Sequence, residues 1–410
     1  MRPLSCDDWR QAARARLPRF VFDYLDGGAG DETALRHNRT AWETLRLAPR
    51  VLRNTTQVSC ATQVMGQWWA RPYGIAPTGL NGLIRPGGDL ALARAAARHG
   101  VPFIQSTASN ERLEAVRAAI PEGMLWLQLY VMQDPGITDQ LLRRAQALGV
   151  DTLVLTVDVP VSGLRLRDQR NGFKLPFRLT PRLAWDLLTH PRWSLQQAWA
   201  GQPSFANLIE DPAAALSPQA QAALLARAMD RSLDWAALGR LRDRWPGKLV
   251  IKGLLHEEDA GLALQAGVDG LILSNHGGRQ FDGAVSPLEA LPRVLARTAG
   301  RLPVMLDSGI RSGTEVAKAL SQGAAAVFVG RATLYGLAAQ GEAGVSSVLD
   351  LLAEDLERGL ALLGAEAVSR LGALGAGHWR SPSLQRPGDG SPSAPPAEWK
   401  GAGPHHQGDG

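Results

Sequence analysis

The chain has 410 residues, of which 45% are hydrophobic and 20% are charged, and its formal net charge is +5. A chain of this length can bury a large core, and the modest charge without a long basic run argues against a nucleic-acid partner. Cys6 and Cys60 are too few for a disulfide framework, which favours a reducing compartment. No apolar run reaches the length of a membrane-spanning helix, and the N-terminus lacks the apolar region expected of a signal peptide.

Eight short apolar segments alternate with helical patterns along the chain. Their richness in Val, Ile and Leu is typical of parallel strands that are buried on both faces. The predicted strands are 72–76, 101–105, 124–129, 152–157, 249–252, 271–274, 303–306 and 325–329. Predicted helices include 89–99, 138–148, 257–266 and 313–322, each followed by a glycine suited to a helix C-terminus. The alternation predicts a (β/α)8 TIM barrel with an N-terminal helical segment and a long insertion after strand 4. A doubly wound sheet is the alternative, weakened by the absence of a GxGxxG turn after an early strand.

Polar residues or glycines follow every predicted strand. They are Pro77, Thr78, Ser106, Gln128, Tyr130, Thr156, Asp158, Lys252, His276, Asp307, Ser308, Gly309, Gly330 and Arg331. In a barrel of this class the carboxyl ends of the strands meet at one face, and active sites lie there. We therefore expect these side chains to surround one site, although part of the pattern would arise from strand-to-loop transitions alone.

The segment 274–283 reads Ser-Asn-His-Gly-Gly-Arg-Gln-Phe-Asp-Gly and follows the sixth predicted strand. It combines a titratable base, His276, with a fixed cation, Arg279, across two glycines. A single histidine after a strand is more often structural than catalytic, so the interpretation depends on the whole segment.

Glycines and arginines after the seventh and eighth strands indicate a phosphate site. Glycines allow backbone amides to approach an anion, and Arg311 and Arg331 can neutralise it. Ordinary turns with surface arginines are the alternative. Lys252 ends a buried strand, where an unpaired ammonium is costly, so it needs either an anionic ligand or a barrel carboxylate.

These motifs together resemble the FMN-dependent α-hydroxy-acid dehydrogenase and oxidase family, from about residue 8 to residue 370. The resemblance rests on segments 22–28, 75–79, 128–130, 156–160, 250–253 and 274–283. It implies that FMN is held by Pro77, Thr78, Ser106, Gln128, Thr156, Lys252, Asp307, Gly309, Arg311, Gly330 and Arg331. Members often have Asp-Gly-Gly where this chain has Asp307-Ser308-Gly309. No metal site is expected.

The resemblance also implies roles around the substrate. His276 would take the proton of the substrate hydroxyl, and Asp158 would stabilise the resulting imidazolium. Arg279 and Arg165 would hold the substrate carboxylate, because a guanidinium matches it geometrically. Hydroxyl hydrogen bonds would come from Tyr24 and Tyr130. Whether the Cα hydrogen leaves as hydride or as a proton stays open.

The insertion 176–208 contains three tryptophans, several leucines and a mild excess of positive charge. This composition fits either an interfacial membrane patch or a lid or subunit contact. Its segment 190–195 resembles membrane-associated members that oxidise mandelate-like 2-hydroxy acids, as does segment 171–176. That likeness implies a peripheral protein at the cytoplasmic face of the inner membrane that passes electrons to quinone or another membrane acceptor, and a homo-oligomer, by family a tetramer. Gly79, where oxidases usually carry alanine, also fits a dehydrogenase.

Residues 1–375 are expected to form the barrel domain, and residues 376–410, rich in Pro, Gly and Ser, a disordered tail. We therefore predict an FMN-dependent dehydrogenase that oxidises a mandelate-like L-2-hydroxy acid. L-lactate dehydrogenase or a soluble 2-hydroxy-acid oxidase is the alternative within the family. From another class, a flavin-free phosphate-binding isomerase or aldolase would use Lys252 as a Schiff base.

Overall fold

The centre of the protein is a closed barrel of eight parallel strands. The structure, a computed structural model, describes residues 3–173, 180–201, 203–208, 230–374 and 379–380. The barrel strands in chain order are β1 Tyr73–Ile75, β2 Phe103–Ser106, β3 Leu125–Leu129, β4 Thr152–Thr156, β5 Lys248–Leu254, β6 Gly270–Leu273, β7 Val304–Leu306 and β8 Val327–Val329. Each pairs with its neighbours in sequence, and β8 closes the barrel on β1. The predicted (β/α)8 barrel is confirmed.

Helices surround the barrel and also precede it. Three lie before β1, at Cys6–Arg16, Arg19–Asp26 and Thr33–Thr44. Those after β1 to β3 are Asn81–Ile84, Gly88–Arg98, Leu113–Ala119 and Pro135–Ala147. After β4 come Leu166–Arg170, Pro181–Thr189, Pro191–Ala200 and Trp235–Arg244. The remaining helices are Glu257–Gln265, Pro287–Thr298, Gly313–Ser321, Arg331–Gln340, Glu342–Leu363 and Leu371–Leu374, with 3₁₀ turns at Ala206–Leu208 and Val368–Arg370. Short strands lie at Leu45–Arg46 and Trp379–Arg380.

A hairpin closes the amino-terminal end of the barrel. Its strands, Thr62–Val64 and Gln67–Trp69, pair in antiparallel fashion. The ring of Trp69 contacts those of Trp126 and Phe328 edge-on, at centroid distances of 5.6 and 5.9 Å. Such aromatic contacts fill the barrel interior below the site. The cavity that matters for function therefore lies at the opposite end, where the strands end.

The insertion after β4 contributes two helices that are docked on the barrel. On Pro191–Ala200, the indole NH of Trp193 donates to the Leu83 carbonyl at 2.9 Å, and the Gln197 amide donates to the Gly82 carbonyl at the same distance. Trp193 and Gln197 are four residues apart, so they share one helix face. The other face points away from the barrel.

Four large apolar side chains of these helices face solvent. Trp185 and Leu188 on Pro181–Thr189 are 70% and 73% exposed, and Leu195 and Trp199 on Pro191–Ala200 are 70% and 95% exposed. We call these four residues the exposed insertion patch. Within the described part of the chain, no helix has both the length and the apolarity to cross a membrane.

The expected tail 376–410 lies outside the described residues, apart from the short strand Trp379–Arg380. Contacts between Cα atoms divide the chain into a unit Met1–Trp379 that contains the barrel and a unit Arg380–Gly410. Residues 176–179 and 202 of the expected insertion are likewise outside the described ranges.

Candidate active site

A cavity of about 390 Å³ opens at the carboxyl ends of the barrel strands. Its size is that of a pocket for a cofactor and a small ligand. Of the residues predicted for the site, those that line it are Tyr24, Pro77, Thr78, Ser106, Tyr130, Arg165, Lys252, His276, Arg279, Asp307, Gly309, Arg311, Gly330 and Arg331. The fold thus brings together residues from seven strand ends, Arg165 from the loop after β4 and Tyr24 from the N-terminal helical segment.

Three predicted site residues lie beside this cavity without lining it. Gln128 is buried beneath it and accepts a hydrogen bond from the Ser106 hydroxyl at 3.0 Å. Thr156 lines a neighbouring cavity of about 310 Å³ between the ends of β3, β4 and β5. Asp158 contacts Nδ1 of His276, on the side of the imidazole that faces away from the cavity.

His276 and Asp158 form a hydrogen-bonded pair. The Nδ1 atom of His276 lies 3.1 and 3.2 Å from the two carboxylate oxygens of Asp158. Burial alone would raise the pKa of Asp158, but the adjacent imidazole and the Lys252 ammonium hold that pKa below its ordinary value. Because Nδ1 faces the carboxylate, Nε2 is the nitrogen left to meet a ligand in the cavity.

The turn that carries His276 has an unusual backbone. His276, Gly277 and Gly278 have φ values of 58°, 66° and 73°. A Cβ at Gly277 would lie 2.6 Å from a guanidinium nitrogen of Arg331, and one at Gly278 would lie 2.6 Å from the Leu35 amide nitrogen. The two glycines are therefore required by both conformation and space, whereas His276 is held in a left-handed conformation at a cost in free energy.

Two arginines and two tyrosines form a polar cluster that is suited to a carboxylate. The Arg279 guanidinium donates to the carbonyls of Tyr24 and Gly27 at 2.7 and 2.9 Å and lies 4.9 Å from the Tyr24 ring centroid. Burial and the neighbouring Arg165 guanidinium lower the pKa of Arg279 to about 9. The buried Nε of Arg165 has no hydrogen-bond partner among the described residues. An incoming anion would relieve both penalties.

Tyr130 contributes a hydroxyl donor to the same cluster. Burial, together with the nearby carboxylate of Asp158, raises the pKa of Tyr130 above its ordinary value. Its hydroxyl therefore stays protonated and can donate a hydrogen bond to a bound anion.

Lys252 is buried in an ion pair with a barrel carboxylate. Its Nζ lies 2.9 Å from Oδ2 of Asp307 and donates to the Ser274 hydroxyl at 2.8 Å. This is the salt bridge that the sequence left open as an alternative. It does not exclude an anionic ligand, since an ammonium has three donors.

The two phosphate-site segments meet at one end of the cavity. Arg311 and Arg331 both line it, as do Gly309 and Gly330. Arg331 also donates to the carbonyl of Gly277 at 2.8 Å, so it ties this end to the turn of His276. Burial lowers the pKa of Arg331 to about 10, a penalty that a bound phosphate would offset.

Orphaned buried atoms test whether a flavin nucleotide fits here. The side-chain amide nitrogen of Gln128 and the hydroxyl of Thr156 are buried, and neither has a partner among the described residues. Buried polar groups are normally hydrogen-bonded, so both require a ligand or water. Together with the buried Lys252 they form a donor set that suits the polar edge of an isoalloxazine ring. The residues present therefore fit FMN.

Several cavity residues escaped prediction from sequence. Phe173 lies just before the insertion after β4 and Phe205 lies within it, and the ring of Phe173 stacks on that of Tyr24 at 4.5 Å with an interplanar angle of 4°. Val159, Ser162 and Ala108 add further lining. Of these, Val159 and Phe173 lay within segments that the resemblance used, but neither was predicted as a site residue.

These features define a flavin enzyme on a TIM barrel, and comparison with known proteins agrees. The sequence profile of FMN-dependent dehydrogenases matches residues 13–375, and the chain belongs to this family. Among its relatives, (S)-mandelate dehydrogenase of Pseudomonas putida is 47% identical over 90% of this chain and 92% of that protein. L-lactate dehydrogenase of Xanthomonas campestris pv. campestris (strain B100) is 42% identical over 90% of this chain and 95% of that protein.

Solved structures support the same family. A crystal structure of the monotopic membrane protein (S)-mandelate dehydrogenase has a TM-score of 0.88 and 45% identity and covers 93% of this chain and 100% of that one. A mandelate oxidase has a TM-score of 0.77 and 37% identity. The predicted cofactor, FMN, and the predicted enzyme class, a 2-hydroxy-acid dehydrogenase, are confirmed.

The purified protein is expected to be yellow and to contain about one FMN per chain. The physical reason is the set of buried donors described above, which a flavin would satisfy. Absorbance near the flavin band and quantification of FMN released on denaturation measure this. A folded, colourless protein that takes up no FMN on reconstitution would contradict it.

Proposed function

We propose that this protein oxidises an L-2-hydroxy acid with an aryl substituent, similar to mandelate, to the 2-oxo acid. The observation that carries the proposal is one cavity that contains the His276–Asp158 pair beside the guanidinium groups of Arg165 and Arg279. A base next to a carboxylate clamp is what α-hydroxy-acid oxidation requires.

Each of these side chains has a distinct task. Arg279 and Arg165 bind the substrate carboxylate, with Tyr24 and Tyr130 as hydroxyl partners, and so fix the α-carbon. Nε2 of His276 then accepts the proton of the α-hydroxyl. The carboxylate of Asp158 orients the ring and stabilises the imidazolium that results.

FMN, when bound, would supply the acceptor for the two electrons that leave the substrate α-carbon. Lys252 would stabilise negative charge at the pyrimidine edge of the flavin ring. Gln128 and Thr156 would donate hydrogen bonds to the same ring. Arg311, Arg331 and the glycines Gly309 and Gly330 would hold the phosphate. Lys252 thus serves the cofactor, and a Schiff-base chemistry at this residue is not required.

An aryl substituent is favoured by aromatic side chains near the clamp. Phe173 and Phe205 line the cavity beside Tyr24, and Val159 and Ala108 add apolar surface. Such a wall gains more from a phenyl ring than from a methyl group. L-lactate is the second candidate, because relatives named L-lactate dehydrogenase are 40–42% identical over about 90% of the chain.

A substrate panel tests the proposal directly. (S)-mandelate, (R)-mandelate and L-lactate are supplied to the holoenzyme with a dye acceptor, and kcat/KM is measured for each. We expect (S)-mandelate to exceed L-lactate by at least about 10-fold, as apolar contacts of a ring typically allow. A higher kcat/KM for L-lactate would favour the second candidate. No reduction of the flavin by any 2-hydroxy acid would refute the function.

Arg279→Lys is expected to weaken substrate binding and lower kcat/KM by about 10²-fold, because a point charge replaces a planar fork. The KM for substrate should rise by a larger factor than the FMN content of the variant falls. Steady-state kinetics and flavin quantification separate the two. Arg293→Lys, an exposed position on the helix Pro287–Thr298, is the matched control. A parent-like KM in Arg279→Lys would show that this guanidinium does not bind the carboxylate.

We further propose that the enzyme is peripheral at the cytoplasmic face of the inner membrane and that quinone is its electron acceptor. The exposed insertion patch supports this, because tryptophan and leucine suit the lipid–water interface. A lid or subunit contact remains the competing explanation for the same surface. We also propose a homotetramer, which light scattering of the detergent-solubilised protein tests.

A further inference from the structure

Ser308 adopts a backbone conformation that favours glycine. Its φ is 76°, in the left-handed region, and it sits in the loop after β7 between Asp307 and Gly309. Non-glycine residues are uncommon there, because Cβ crowds the backbone. A serine at this position therefore implies that interactions of its side chain offset the conformational cost.

The Ser308 hydroxyl connects two loops of the site. It donates to Oδ1 of Asp307 at 2.8 Å, and it accepts the backbone NH of Gly277 at 3.1 Å. Since its single hydrogen is used on the carboxylate, a lone pair is left facing the Gly277 amide. The bond therefore has a fixed direction.

The Ser274 hydroxyl accepts a hydrogen bond from the preceding amide, that of His276, at 3.0 Å. It also accepts a hydrogen bond from Nζ of Lys252 at 2.8 Å. Lys252 is in turn paired with Asp307 at 2.9 Å. Two successive amides of the left-handed turn thus bind two hydroxyls, and both hydroxyls are anchored on one buried ion pair.

We propose that Ser308 is a positioning residue for His276, which it fixes through the amide of Gly277. The proposal rests on the proposed role of His276 as the base. Because His276 itself has a φ of 58°, the turn is not held by backbone preference and needs these acceptors. Removal of the Ser308 hydroxyl leaves the Gly277 NH unpaired and allows the imidazole to drift from its productive orientation.

Two variants separate the effect of losing the Ser308 hydroxyl from the effect of the strained backbone. Ser308→Gly removes the hydroxyl and relieves the left-handed strain, whereas Ser308→Ala removes the hydroxyl and keeps the strain. A purely conformational role predicts that the glycine variant works at least as well as the parent. A positioning role predicts that both variants lose rate together while their stabilities diverge.

The FMN-loaded parent and variants are compared in three measurements. In stopped flow with (S)-mandelate, or whichever 2-hydroxy acid the parent uses best, both variants should reduce their flavin about 10-fold more slowly, with the substrate Kd within about two-fold. Amide hydrogen exchange of the peptide that contains residues 274–280 should be faster in both. Ser308→Gly should unfold about 2 °C above Ser308→Ala.

Ser321→Ala is the matched control, because it deletes a buried hydroxyl that donates to the Lys318 carbonyl at the far end of the next helix. It should keep the parent rate and the parent exchange of peptide 274–280. A parent rate in Ser308→Gly would overturn the proposal, and so would slow reduction in both variants without faster exchange of the turn. A parent that no 2-hydroxy acid reduces would instead refute the proposed function, and the exchange data would still report whether Ser308 orders the turn.

Discussion

His276→Ala should retain FMN but lose about 10²–10⁴-fold in the rate at which substrate reduces the flavin. Among the described residues that line the cavity, His276 is the only histidine, and a carboxylate lies 3.1 Å from its Nδ1 atom. Without the imidazole, the proton of the α-hydroxyl loses the base that lies beside the two arginines that bind the carboxylate. Stopped-flow reduction under anaerobic conditions measures the rate, and the flavin spectrum reports whether the cofactor is retained.

Two comparisons make this result specific. His256→Ala removes a histidine that caps the helix Glu257–Gln265, outside the residues that line the cavity, and should reduce its flavin at the parent rate. Photoreduction, which needs no substrate, should proceed equally in both variants and show that the flavin is competent. Reduction of the His276 variant by substrate at the parent rate would mean that another group takes the proton.

The barrel was predictable from sequence because its signal is local. Most of the strands are short and rich in buried Val, Ile and Leu, and every predicted strand lies within two residues of the observed one. Polar residues just beyond the strand ends could be assigned to one face, because parallel strands of a closed barrel all point the same way. This logic, which treats Asp158 and His276 as neighbours although they are far apart in sequence, anticipated their hydrogen bond.

Other features of the site depend on tertiary packing that no local pattern encodes. Phe173 enters the cavity because the chain after β4 folds back so that its ring stacks on Tyr24. The positive φ of Ser308 runs against the preference of serine and is compensated by hydrogen bonds to Asp307 and Gly277, which are brought together only by the fold. Lys252 was recognised as needing a partner, but the choice of Asp307 depends on where β5 and β7 end.

Hydrogen bonds around the Lys252–Asp307 pair connect the predicted FMN site to the turn that carries His276. The Lys252–Asp307 pair that would meet the flavin also anchors, through Ser274 and Ser308, the turn of His276. A change at either end of this chain of hydrogen bonds is transmitted through short, directional bonds rather than through flexible side chains. The site residues predicted for FMN and for substrate are therefore one connected unit, and their substitutions are not expected to act additively.

Conversion of the exposed insertion patch to glutamine should move the enzyme from the membrane to the soluble fraction. The variant changes Trp185, Leu188, Leu195 and Trp199 together and leaves Trp193, whose indole NH holds the helix on the barrel. Loss of four large apolar contacts should weaken interfacial binding by at least about 4 kcal/mol, or about 1,000-fold in partitioning. Fractionation of cell membranes, with flavin reduction assayed in each fraction, measures this.

Activity distinguishes the membrane from the competing explanations of this surface. The four residues face solvent and none of them lines the cavity, so turnover with a soluble dye should survive, while quinone-linked turnover in membranes should fall with the bound fraction. A control that changes Trp68 and Leu362, both 69% exposed and outside the insertion, should stay on the membrane. If the parent is already soluble at low salt without detergent, the patch instead covers the site or meets another subunit. In that case the four substitutions should alter dye-linked turnover or the oligomeric state, because burial of the patch would then occur within the protein itself.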